Sequence, residues 1–112
     1  MRGSTLEVSG CLEVSTRSDG SVVIRPRGSL GPDEAVELRQ LLVHTVRRVR
    51  PLRLIVDLAH VRELDPINLG SVVAACDLGD DHQVAVFLDN PSGFLAARLH
   101  AAGVPAQRVR GA

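Results

Sequence analysis

The chain has 112 residues, enough for one domain with a modest core. Its 13 basic and 13 acidic residues cancel, which removes the electrostatic case for a nucleic-acid partner. Phe87 and Phe94 are the only aromatic residues, so no stacking platform exists for bases or sugars.

No apolar run approaches the ~20 residues of a membrane span. The Met1–Ser4 start is not followed by an apolar stretch, so a secretory signal is not expected. Cys11 and Cys76 share no metal-ligand spacing and do not make a disulfide framework. His44, His60, His82 and His100 are likewise scattered, so no metal and no cofactor is expected. A single domain over residues 1–112, cytoplasmic, with reduced and packed thiols, is the expectation.

From Leu6 to Ser15 apolar and polar residues alternate, with Leu6, Val8, Leu12 and Val14 on one parity. Period two predicts a strand with one covered face, and such a strand at a sheet edge could pair two copies as a homodimer. Ser18-Asp19-Gly20 supplies turn chemistry, and Val22-Val23-Ile24 predicts a second strand, hairpin-paired to the first. Gly28–Gly31 reads as a loop. Pro32 suits a first helical position, and Ala35, Leu38, Leu41, Leu42, Val46 and Val49 make an apolar stripe that Pro51 ends.

Leu54-Ile55-Val56 predicts a buried central strand. Asp65 can cap, and Pro66 open, a second helix through about Leu78, ended by Gly79-Asp80-Asp81. Val84–Leu88 predicts another buried strand. A third helix follows Asn90-Pro91-Ser92 with Phe94, Leu95 and Leu99 as its apolar residues, and a short last strand is expected around Gln107–Val109. Alternating strands and helices imply right-handed crossovers and an α/β fold.

This order resembles the STAS family, the fold of anti-sigma-factor antagonists, over about Leu6 to Val109. Val22–Gly31 looks like the family's second strand and its Gly-Glu-Leu-Asp-like turn. Leu54–Leu58 with Val61 looks like its third strand, and Asp65–Gly70 falls on its Asp-Ser-Ser-Gly-Leu-Gly motif. Asn90–Leu99 and Ala102-Gly103-Val104 resemble its final helix and ending. The resemblance implies a mixed central sheet of about 4–5 strands with about three principal helices.

In family antagonists a serine at the start of the second helix is phosphorylated by the partner, a serine-kinase-type anti-sigma factor, and the phosphate ends binding. Aligned here, that serine becomes Ile67, the serine before it Pro66 and the glycine after it Asn68. The acidic residue of the preceding turn becomes Gly31. An isoleucine has no hydroxyl to phosphorylate, so the resemblance implies docking without the usual switch. The expected partner-binding residues are Ser29, Leu30, Gly31, Asp65, Pro66, Ile67, Asn68, Leu69 and Val72.

Each of these has a plainer reading. Asp65 is a helix cap worth ~1 kcal/mol. Ile67 is either an exposed apolar anchor or a residue tucked against the sheet. Asn68 reads as a solvated surface amide. Ser71, one turn after Ile67, is a remote phosphorylation candidate, because its N–H is already bonded inside the helix. Arg98, Arg108 and Arg110 read as surface charge.

An enzyme is not expected, since no nucleophile–base pair, metal spacing or phosphate loop is identifiable. Asp57 ends a buried strand as receiver aspartates do. The first strand lacks the acidic pair that chemistry needs, and the chain has no lysine. The alternatives left are a STAS subunit of a lipid-transport ABC transporter and a small-molecule-sensing module.

Overall fold

The structure is a computed structural model and describes residues 4–111. Strands β1 (Ser4–Ser9), β2 (Leu12–Thr16), β3 (Val22–Pro26), β5 (Arg53–Asp57), β7 (Ala85–Asp89) and β8 (Val109–Arg110) form a six-stranded sheet in the order β1-β2-β3-β5-β7-β8. β1, β2 and β3 are antiparallel, and the remainder run parallel from β3 onward. A separate parallel pair joins β4 (Gly28–Leu30) to β6 (Val61–Leu64). The principal helices are α1 (Ala35–His44), α2 (Pro66–His82) and α3 (Gly93–Ala101).

The mixed α/β architecture is as expected, but the main sheet has six strands rather than four or five. The last strand starts only at Val109, after a 3-10 turn over Ala106–Arg108. Two further corrections fall among the earlier strands. The alternating N-terminal run is a hairpin of two strands. Leu6 pairs with Val14 but Ser9 pairs with Leu12, a register shift that makes Val8 the extra residue. Period two does not carry through that bulge, and among the described residues nothing covers the outer strand beyond β2. Leu6 is therefore 67% exposed and Val8 40%. Gly28–Leu30, read as loop, is a strand because Val61–Leu64 supplies a parallel partner distant in sequence.

Strand order advances in one direction from β3 to β8, so right-handed crossovers place all three helices on one face. Val22, Ile24, Leu54, Val56, Val86 and Leu88 point there and share one core with Leu38, Leu42, Val46, Val72, Leu95 and Leu99. The opposite parity carries Val23, Ile55 and Phe87 in one cross-strand row. An ion-pair layer lies beside them. Arg25 bridges Glu13 at 2.9 Å and Asp57 at 3.1 Å, while Arg110 grips both oxygens of Asp89 and stacks on Phe87, 4.1 Å from its centroid. Arg110 and Arg108, which bonds Asp80 and the Val86 carbonyl, are thus engaged rather than loose surface charge.

The first helix begins as a 3-10 turn (Pro32–Glu34) and ends as a π-helical segment (Thr45–Val49). The wider π turn rotates Val49 off the 3.6-residue stripe, so Val49 is 52% exposed while Ala35, Leu38, Leu42 and Val46 are buried. α2 runs past its expected stop. Gly79 does not end it; a Cβ there would come within 2.5 Å of Val86 Cγ2 and 2.6 Å of the Val84 carbonyl oxygen, so glycine allows the helix to lie on β7. The stop is Gln83, at φ 61°. Cys76 is buried as expected, and burial pushes its thiol pKa up to about 11.

Candidate functional site

Parallel crossovers bring the first turns of α1, α2 and α3 to one end of the sheet, next to the β4–α1 connection. The sequence dictates the first turn of α2 locally. Asp65 Oδ1 accepts the Ile67 N–H at 3.0 Å, and Pro66 takes the first helical position, where its missing N–H costs nothing. Ile67 follows and is 55% exposed, which settles the open alternative in favour of exposure.

Asn68 corrects the sequence reading. Its side chain is wholly buried, and Nδ2 donates to the carbonyl oxygens of Leu30 and Gly31, both at 2.9 Å. Leu30 O also accepts the Asp65 N–H at 2.9 Å, and the Gly31 N–H donates to Glu34 Oε1 at 2.7 Å. Asn68 and Asp65 therefore hold the Leu30–Gly31 segment against the start of α2, and Glu34 ties it to the turn that opens α1. Asn68 Oδ1 has no partner among the described residues. Nothing local marks Asn68 as buried, because the acceptors belong to a segment more than thirty residues earlier.

Burial sorts the expected contact residues. Leu30 (1% exposed), Asn68 (0%) and Val72 (0%) lie beneath the surface, and Leu69 is half-buried against the core. These lie behind the surface, since Leu30 and Val72 fall on the inward parity of β4 and the inward stripe of α2. Ser29, Pro66 and Ile67 are exposed, and Gly31 and Asp65 are half-buried. Ser71 is half-buried and spends its hydroxyl on the Ile67 carbonyl at 3.3 Å.

Phe94 was missed as a surface residue. Leu95 and Leu99 set the inward stripe of α3, which turns Phe94 outward to 77% exposure. It lines a depression of about 400 Å³ together with Ser29, Gly31, Asp65, Pro66 and Arg98. Arg98 is fixed there by donating to the Leu64 carbonyl at 2.7 Å. The signal was available in the sequence: Ser92 caps the helix through the Leu95 N–H, which fixes which residues face the core.

Asp57 lies at the same end of the sheet, but its carboxylate is occupied. Burial alone would raise its pKa; bonds from the Ala59 N–H, Arg25 and Asn90 hold it below the usual carboxylate range. Among the described residues no three His, Cys, Asp or Glu side chains are grouped to hold a metal ion. No described helix is long and apolar enough to cross a membrane.

No family model and no curated relative matches the sequence. Solved structures do match. The Bacillus cell fate determinant SpoIIAA in its phosphorylated form superimposes with a TM-score of 0.77 over 90% of each chain at 17% identity. A serine-to-glutamate variant of RsbS from Moorella thermoacetica gives 0.73 at 15% identity, covering 90% of this chain and 85% of that one. The murine Solute Carrier 26 family member A9 anion transporter gives 0.67 at 17% identity, covering 96% of this chain but 20% of the transporter. The unphosphorylated form of SpoIIAA, which also matches, is described as an anti-sigma factor antagonist. The chain has the STAS fold.

Proposed function

We propose that this chain is a protein-binding regulator of the anti-sigma-factor-antagonist kind, cytoplasmic and without catalytic chemistry of its own, whose docking is not switched by phosphorylation. The partner is a serine-kinase-type anti-sigma factor. It meets Ser29, Gly31, Asp65, Pro66 and Ile67, with Phe94 at the edge of the same face. Two copies additionally pair along β1.

The carrying observation is Ile67, 55% exposed in the first turn of α2. More than half of this large apolar side chain is left in water by the chain's own packing, whereas a partner that covers it removes apolar area from water at roughly 25 cal/mol per Å². The similarity to SpoIIAA, solved in phosphorylated and unphosphorylated forms and described as an anti-sigma factor antagonist, supports the choice of the antagonist class. A helix N-terminus favours negative charge, so a serine there suits a phosphate, while an alkyl group offers no acceptor atom.

Calorimetric titration of a serine-kinase-type anti-sigma factor from the same genome tests the proposal. Ile67→Glu is expected to weaken binding at least tenfold with unchanged thermal unfolding, because it places charge against a desolvated contact. An unaltered affinity would refute docking here. The transporter-subunit reading, favoured only by the match to an anion transporter, instead predicts co-purification with a permease and an ATPase.

A further inference from the structure

We infer that the groove between α1 and α2 receives an amphipathic helix of the partner protein, oriented by charge. The groove encloses about 500 Å³, with an apolar floor made by Leu42, Val43, Ala74, Ala75 and Leu78. It stays open because α2 presents Gly70, Ser71, Ala74 and Ala75 to it, side chains too small to fill the space.

Shape and charge select the occupant. From Ile67 to Asp81 the groove follows α2 for about 21 Å, at 1.5 Å per residue. An open trough of that length and modest volume suits a row of side chains from an elongated partner better than one compact molecule, and a helix presents such a row at i, i+3/i+4 and i+7. Both rims carry charge. Arg39 stands on α1, Asp77 and Asp81 stand on α2, and none has an ion-pair partner among the described residues.

The two helices run parallel, with Arg50 of the α1 extension reaching the His82 carbonyl at their shared C-terminal end. Arg39 belongs to the first half of α1 and the two aspartates to the second half of α2. The base and the acids therefore mark opposite ends. The occupant carries apolar side chains along one face, acidic groups toward Arg39 and basic groups toward Asp77 and Asp81. This goes beyond docking at Pro66–Ile67; Ile67 also lines the groove, but Ala74 lies outside that surface, so Ala74→Gln tests the groove separately from it.

The probe is a synthetic amphipathic peptide of about 18 residues, leucines on one face, glutamates at one end and arginines at the other, with a nitroxide at the acidic end. Amide shifts are expected along Arg39–Val43 and Gly70–Leu78. The nitroxide should broaden amides near Arg39 and spare those near Asp81. Ala74→Gln, at an exposed helical site, should weaken binding at least tenfold without altering thermal unfolding. Any of three results overturns the inference: no shifts along the groove, broadening at the Asp81 end, or equal occupation by an uncharged detergent. Self-association abolished by Ala74→Gln would also overturn it, assigning the groove to a second copy.

Discussion

Asn68→Asp is a nearly isosteric change whose effect separates a buried tie from a surface amide. The native amide donates two hydrogen bonds of 2.9 Å at zero exposure. Asp65 N–H still serves Leu30 O, and Glu34 N–H still serves Gly31 O at 3.1 Å, so the variant strands neither carbonyl. The main cost is a carboxylate facing two carbonyl oxygens with no donor. Two lost hydrogen bonds account for about 2 kcal/mol. An unpaired buried charge adds several more, limited by protonation, for a total of about 3–5 kcal/mol at pH 7. At roughly 4 °C per kcal/mol for a domain of this size, the melting temperature falls by about 12–20 °C.

The pH dependence gives the sign. The folded carboxyl is driven above its unfolded value of about 3.9, so the folded state binds more protons between those two values. The variant's stability there falls as pH rises, and the deficit against wild type narrows on acidification from pH 7 to pH 5. Asn68→Ala should cost about 1 kcal/mol, since removing the partnerless Oδ1 offsets part of the lost bonding, and its deficit should not vary with pH. Thermal unfolding followed by circular dichroism at several pH values measures all three proteins. A loss within about 0.5 kcal/mol for Asn68→Asp, or a pH-independent deficit, would refute the buried tie.

Gly70→Ala and Gly79→Ala should act in opposite directions although both lie inside α2. A Cβ at Gly70 meets nothing within 4 Å and gains up to about 1 kcal/mol of helix propensity, whereas at Gly79 it meets the Val84 carbonyl oxygen at 2.6 Å and should cost about 2 kcal/mol or more. Denaturant unfolding measures both, and equal signs would contradict the packing of α2 on β7. Pairing along the open edge of β1 should give a sedimenting mass of twice 12.0 kDa that reverts to monomer with Leu6→Lys. A monomer at all concentrations would overturn that pairing.

The sequence carried the α/β order, the caps at Asp65 and Ser92, and the place of the motif at the first turn of α2, because these rest on local chemistry. It leaves the exposure of Ile67 open, and only the packing decides it. Period-two alternation did not carry the N-terminal hairpin, since a bulge at Val8 changes the phase and an outer strand has no cover. Val49 fits the apolar stripe of α1 until the π turn moves it off, and Phe94 is apolar without lying on the face that Leu95 and Leu99 turn inward. Asn68 and the β4–β6 pair depend on segments far apart in sequence, and no local pattern announces such partners. The candidate site was thus legible in outline, while the tie that holds it was not.

The account turns on docking that has no phosphoryl acceptor. Incubating the protein with MgATP and a serine-kinase-type anti-sigma factor, then measuring intact mass and binding affinity, tests this most directly. The account predicts an unmodified chain that binds as tightly after incubation as before. Stoichiometric phosphate within residues 65–71, accompanied by release of the partner, would contradict it.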